Sequence, residues 1–310
     1  MENKPSRSDL ATPFRNNLQP AEFNKKKFTT EYKSDYLDDF ERIDKLDYWQ
    51  PSKYELEFLP NMKLAGYGGR KNIILQNSAD LHVHTAWSDG DDLELVLEAA
   101  VAAGLDAVAI TDHDEIGGAL LARRLVHERQ LPIAIVPGIE VSSHDGHIGG
   151  LFLTQKVDAG MSAQDTVAAI HALGGFAVAN HPFTPRILEK IFNEKWGCRE
   201  LMQTVPFDAI ECYNAVPGSG VRYNLNTIKA MQKLKTKVAI TGGSDAHHAR
   251  FVGMGLTYYP GNDGILSLYN GILNGLTQGA AAYWSLEDKL FYYHHLIKEV
   301  VLEIFSRNRR

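Results

Sequence analysis

The alternation of apolar and polar positions divides the chain into two regimes. Residues 1–33 show no sustained helical or strand period and are rich in Lys, Arg, Asn, Ser and Thr, which predicts a mobile or surface-draped arm. From Ser34 to Tyr67 aromatic residues return, among them Tyr36, Phe40, Trp49 and Phe58, interleaved with Asp and Glu. That stretch is expected to pack on the main body, and Gly66-Tyr67-Gly68-Gly69 reads as a turn or linker. Beyond it, short apolar runs at 107–111, 133–136, 150–153, 176–179, 208–212 and 238–241 read as buried strands. Helical periods lie between several of them. One follows an N-cap at Asp91 or Asp92, carries Leu93, Val96, Leu97, Ala100 and Val101 on one face and stops at Gly104; others span 163–173, 221–234 and 286–305. Such alternation implies an α/β domain from residue 78 to 310 with a mostly parallel sheet, open or closed into a barrel, preceded by an N-terminal extension over 1–77.

Candidate chemistry gathers at the ends of these strands. Asp80-Leu81-His82-Val83-His84 puts two histidines at i and i+2, and on a strand such residues project from the same face. Asp89 follows five residues later. The run ending at Thr111 leads into Asp112-His113, the run ending at Val136 into Gly138-Ile139-Glu140, with His144 and His147 close behind. The run ending at Ala179 leads into Asn180-His181, and the run ending at Thr241 into Ser244-Asp245-Ala246-His247. In parallel α/β folds the loops at the carboxyl ends of strands open on one face, so these side chains are expected to converge. His82, His84, Asp89, His113, Glu140, His147, His181, Asp245 and His247 are more donors than one divalent ion takes, which points to a cluster of two or three ions. Glu140 and Asp245 are the best candidates to bridge neighbouring ions.

Composition narrows the partners. With a net charge of -6 the chain is not built to coat nucleic acid, and no stable nucleic-acid partner is indicated. Its two cysteines, Cys198 and Cys212, provide neither a disulfide framework nor a Cys-based zinc motif and fit a reducing cytoplasm. No run of about 18 apolar residues occurs, so neither secretion nor a membrane span is expected. Oligomeric state has no signature in the sequence.

Taken with their order, the stretches 80–90 (Asp-Leu-His-Val-His-Thr followed by Ser-Asp-Gly), 110–114 (Ile-Thr-Asp-His-Asp), 138–140 (Gly-Ile-Glu), 146–148 (Gly-His-Ile), 180–182 (Asn-His-Pro) and 243–247 (Gly-Ser-Asp-Ala-His) resemble the PHP (polymerase and histidinol phosphatase) domain family. Aspartate at 89 resembles the stand-alone phosphoesterases of that family. The resemblance implies a distorted (β/α)7 barrel and two or three divalent ions, Zn, Mn or Fe. It implies that His82, His84, Glu140 and Asp245 surround one ion, that Glu140, His147 and His181 hold a second, and that Asp89, His113 and His247 hold a third. His144 competes with His147 for its place, and the apolar run after His147 favours the latter.

The chemistry expected of such a centre is hydrolysis of a phosphate mono- or diester of a small nucleotide or phosphorylated metabolite through a metal-activated hydroxide. Glu140 and Asp245 would hold the ions and Asp112 would orient the water or support a ligand. Arg186, Arg222 and Arg250, with Asn214, are candidates for the substrate side, since a phosphate calls for cationic clamps. Two other readings compete: a metal-dependent hydrolase or lyase acting on a non-phosphate bond, and a catalytically silent binding module, which the complete donor set disfavours.

Overall fold

The computed structural model describes residues 77–216, 220–234, 238–282 and 284–307. The expected N-terminal extension, with its aromatic stretch, lies outside them. Within them a nine-stranded sheet curls into a nearly closed barrel. Strands β1 (Asn77–Val83), β2 (Ala107–Ile110), β3 (Ala134–Ser143), β4 (Gly146–Leu151), β5 (Phe176–Ala179), β6 (Ala209–Asn214) and β7 (Ala239–Gly243) lie side by side in chain order, and β8 (Gly255–Tyr259) and β9 (Gln278–Ala281) extend the sheet beyond β1. Pairing is parallel for β1–β2, β2–β3, β5–β6 and β6–β7 and antiparallel around β4 and β8. The distortion expected of the barrel thus has two sources. A hairpin at Ser143–Gly146 inserts β4 antiparallel, and β8 and β9, which are not continuous apolar runs in the sequence, complete the wall.

The ends of the wall meet through backbone contacts. A parallel bridge joins Val83 to Ala246, the His84 N–H donates to the Ala246 carbonyl at 3.0 Å, and the Asp245 N–H donates to the His82 carbonyl at 2.8 Å. Closure on the other side requires glycine, because a Cβ on Gly255 would fall inside the Gly243 carbonyl and one on Gly242 would strike the Leu256 carbonyl.

Helices cover the outside and explain why the strands are buried on both faces. Helix α1 (Leu93–Ala102) starts at Asp92, whose carboxylate accepts the Glu94 N–H at 2.8 Å, and buries Leu93, Val96, Leu97 and Ala100. Each such side chain contributes roughly 1.5–3 kcal/mol, except the smaller alanine. Helix α2 (Gly117–Arg129) returns to β3, and α3 (Ala163–Ala172), capped by Ser162, packs Val167 and Ile170 against the sheet. Helix α4 (Arg186–Phe192) follows β5, α5 (Gly220–Met231) follows β6, and α6 (Ile265–Leu273) links β8 to β9. Helix α7 (Leu286–Arg307) ends the chain; no described helix is long and apolar enough to cross a membrane. The carboxyl ends of β1, β2, β5, β6 and β7 therefore open toward one rim.

Candidate metal centre

At that rim three buried side chains, His82, His84 and Glu140, and the partly buried Asp245 face one another. His82 Nε2 lies 3.1 Å from Glu140 Oε2 and 3.4 Å from Asp245 Oδ1, and His84 Nε2 lies 3.4 Å and 3.2 Å from the same two oxygens. The two histidines come from the end of β1, Glu140 from the middle of the long β3, and Asp245 from the turn after β7. Two further groups share members with this quartet: His84, Asp89, His113 and His247, and His113, Glu140 and His147. In each group one donor atom per residue lies within 4.8 Å of all the others. His181 Nε2 adjoins at 3.1 Å from Glu140 Oε1 and 3.9 Å from Asp245 Oδ2.

All nine expected donors are thus brought together, with partners shuffled relative to expectation. His113 joins Glu140 and His147 in one group, beside which His181 also faces Glu140, and His84 belongs to two groups. His147 is buried at the cluster, whereas the side chain of His144 is 73% exposed and turned to Asp145. Two of the donors need unusual backbone: His181 has φ 26° and Asp245 has φ 54°, in the left-handed region that a residue with a Cβ occupies at a cost.

The donor chemistry suits divalent cations. His82 Nε2, both ring nitrogens of His84, His181 Nδ1 and Glu140 Oε2 are buried with no hydrogen-bond partner among the described residues, and five such orphans in one place would be costly without a charged guest. Donor separations of 3.1–3.4 Å are also the spacing that atoms adopt when each lies about 2 Å from a shared ion. Burial opposes charge on His82, but Glu140, Asp245 and Glu211 outweigh it and hold the imidazole well above its ordinary range. Burial pushes His113 down to about 4, against the pull of Glu140, which leaves it neutral and free to donate a lone pair.

A shell of polar side chains fixes these donors, and most of it escapes sequence reasoning. Glu211, buried in β6, faces His82 Nδ1 at 3.0 Å. Asn180 Nδ2 donates to Glu140 Oε1 at 2.8 Å, and Glu194 lies 3.3 Å from His147 Nε2. Asp80, fully buried, accepts backbone N–H groups from both sides of the barrel seam. A carboxylate inside an apolar run is the one sequence signal that could have singled out Glu211. Asp112 turns its oxygens to the Thr85 N–H at 2.6 Å, the Thr85 hydroxyl at 2.8 Å and the Ser88 hydroxyl at 2.9 Å, and so ties down the turn that carries Asp89.

The residues expected on the substrate side are dispersed. Asn214 is buried and donates to Glu211 Oε2 and Asp245 Oδ2, each at 3.1 Å. Arg250 pairs with Asp288 at 2.6 Å and lies over the Phe291 ring at 4.8 Å, joining the rim to α7. Arg186 is exposed on the first turn of α4 with no carboxylate partner among the described residues, and Arg222 lies in α5.

The PHP domain profile matches residues 80–260, and the chain belongs to the PHP domain family. An uncharacterised protein of Methanocaldococcus jannaschii is 30% identical over 174 residues, which cover 51% of this chain and 94% of that protein. The phosphoribosyl 1,2-cyclic phosphate 1,2-diphosphodiesterase of Eggerthella lenta is 40% identical over 98 residues, covering 31% of this chain and 35% of that enzyme. Among solved structures, PsfC of Pseudomonas syringae PB-5123 superposes with a TM-score of 0.51 at 21% identity, over 73% of this chain and 98% of that one, a likeness of fold.

Proposed function

We propose that the chain is a metal-dependent phosphoesterase that hydrolyses a phosphate mono- or diester of a small nucleotide or phosphorylated metabolite. The observation that carries this reading is the quartet His82, His84, Glu140 and Asp245, whose facing donor atoms lie 3.1–3.4 Å apart, with His82, His84 and Glu140 buried and bearing the orphaned atoms. Family membership and the diesterase activity named for the Eggerthella relative support it. Two or three ions of Zn, Mn or Fe fit the three donor groups, with Glu140 and Asp245 each facing more than one histidine as a bridging carboxylate must. Bound there, the ions would lower the pKa of a water toward neutrality and neutralise charge on the phosphoryl oxygens.

The chain's own residues do the rest. His82, His84, Glu140, His147, His181 and Asp245 form the floor, while Asp89, His113 and His247 stand nearer solvent and form the side by which substrate enters. Asn180 keeps one oxygen of Glu140 engaged, and Asn214 does the same for Asp245, so each carboxylate presents its other oxygen inward. We assign Asp112 to the support of Asp89 and Asn214 to the support of Asp245. Arg186 and Arg222 are left as candidate clamps for a substrate phosphate, because Arg250 is spent on Asp288. The proposal includes a cytoplasmic location, in keeping with the cysteine usage, and a division between an extension over 1–77 and the hydrolase domain. Protein loaded with Mn or Zn should turn over p-nitrophenyl phosphate, its bis ester or a member of a nucleotide panel and stop on chelation. No turnover of any phosphate ester by ion-loaded protein would refute the proposal.

A further inference from the structure

Behind the cluster lies a buried carboxylate that is not among the expected donors, Glu211. Its side chain is 3% exposed in the interior of β6, and each contact it makes leads to a different donor. Oε1 lies 3.0 Å from His82 Nδ1. Oε2 accepts the His181 N–H at 2.7 Å and the Asn214 Nδ2–H at 3.1 Å, and Asn214 passes the link to Asp245 Oδ2 at 3.1 Å. The β6–β7 register slips between Glu211 and Tyr213, and glycine at 243 leaves room where a Cβ would strike both the His82 Cβ and the Glu211 carboxylate. The backbone around Glu211 is therefore shaped for this carboxylate.

An ionised carboxylate only accepts hydrogen bonds, so His82 Nδ1 must carry the proton in that pair and Nε2 is left to offer its lone pair toward Glu140 and Asp245. The left-handed turn at His181 is anchored by the same group. We propose that Glu211 is the positioning residue of the centre: it selects the His82 tautomer, holds His82 and Asp245 in place for the ion of the quartet, and anchors the His181 turn beside them. This rests on the metal-centre reading above and adds a residue that the reaction itself does not touch. A partner of this kind, hydrogen-bonded to a ligating histidine, is worth roughly 10- to 100-fold in ion affinity.

The test compares wild type with Glu211→Gln by competition of Zn²⁺ or Mn²⁺ against a fluorescent chelator, with circular dichroism to check folding and nitrogen-15 NMR of the histidine rings in the zinc-loaded protein. Glutamine fills the same space, but with its oxygen kept for His181 and Asn214 it turns an amide N–H toward His82 Nδ1, which favours the opposite tautomer. Expected are a proton on Nδ1 of His82 in wild type and a fall of about 10- to 100-fold in affinity for one ion in the variant, with the remaining ions held as before. Glu211→Asp, which keeps the charge, should recover part of the loss. An Nε2–H tautomer of His82 in wild type, unchanged affinity for every ion, or an equal fall at all of them would overturn the proposal. Wild type that takes up no ion at all would instead sink the metal-centre reading and this inference with it.

Discussion

Removing the Asp80 carboxylate should unfasten the barrel seam. Asp80 is fully buried, and its Oδ1 accepts the Ser244 N–H at 2.9 Å and the His82 N–H at 3.3 Å while Oδ2 accepts the Gly253 N–H at 2.8 Å. These bonds join β1 to the turn after β7 and to the approach to β8, the place where the sheet closes. In Asp80→Ala three buried donors lose their acceptor, at about 1–3 kcal/mol each. Two effects offset this. Burial already disfavours the charged carboxylate, pushing Asp80 up to about 6 despite its hydrogen bonds, and water can enter the vacated space; together they bring the cost to the lower end, about 3–4 kcal/mol. For a domain of this size that is roughly 6–16 °C in Tm. Asp80→Asn can still serve Ser244 and His82 with its one oxygen and orphans only Gly253, so it should lose about 1–2 kcal/mol, roughly 2–8 °C. Differential scanning calorimetry on both variants after chelation isolates this effect from ion binding. An Asp80→Ala protein that melts within about 2 °C of wild type would refute the reasoning.

Three further outcomes follow from the same geometry. Glu194→Gln removes the charged partner of His147, and about tenfold weaker binding of one ion, with Tm almost unchanged in the chelated protein, is expected from chelator competition; unaltered binding would detach Glu194 from the centre. Arg250→Ala should leave turnover of a phosphate ester within about twofold of wild type and cost about 1 kcal/mol or less, because its pair with Asp288 is partly exposed, but should speed hydrogen exchange across the first turns of α7. A tenfold rise in KM without faster exchange would make Arg250 a substrate clamp after all. Burial pushes the Cys198 and Cys212 thiols from 9.0 up to about 12, so the native protein should react with maleimide or a disulfide reagent far more slowly than the unfolded chain. Because the unfolded thiols release protons near pH 9 while the folded ones keep theirs until about 12, these two groups also make stability fall as pH rises through that window; equal reactivity of native and unfolded protein would contradict their burial.

How much of this the sequence could reveal depends on the range of the interaction. His82-x-His84 and the donors that follow the apolar runs of β2, β3, β5 and β7 were legible because strand periodicity and the residues next to an apolar run are local facts. The six strands read from apolar runs all form, but β3 runs seven residues past its expected end at Val136, so Glu140 lies inside it. β8 and β9 were not picked out, since Gly255–Tyr259 and Gln278–Ala281 are not continuous apolar runs and take their place by antiparallel pairing to β1 and to each other. The grouping of donors was also out of reach: that His113 joins Glu140 and His147, and that His84 is shared by two groups, depends on side-chain directions set by the curl of the sheet. Asn214 and Arg250 carry types suited to binding phosphate, yet one is turned inward to Glu211 and Asp245 and the other is held by Asp288. Glu211, Glu194 and Asp80 act through partners 129, 47 and 164 residues away, which no local pattern encodes.

The most direct test of the account is to count ions. Wild type reconstituted with Zn²⁺ or Mn²⁺, freed of excess and measured by inductively coupled plasma mass spectrometry, should carry two or three divalent ions per chain. His84→Ala, which removes a donor shared by two of the groups, should carry at least one fewer while retaining its fold by circular dichroism. A folded wild-type chain that retains no ion, or a His84→Ala variant with the full complement, would contradict the account.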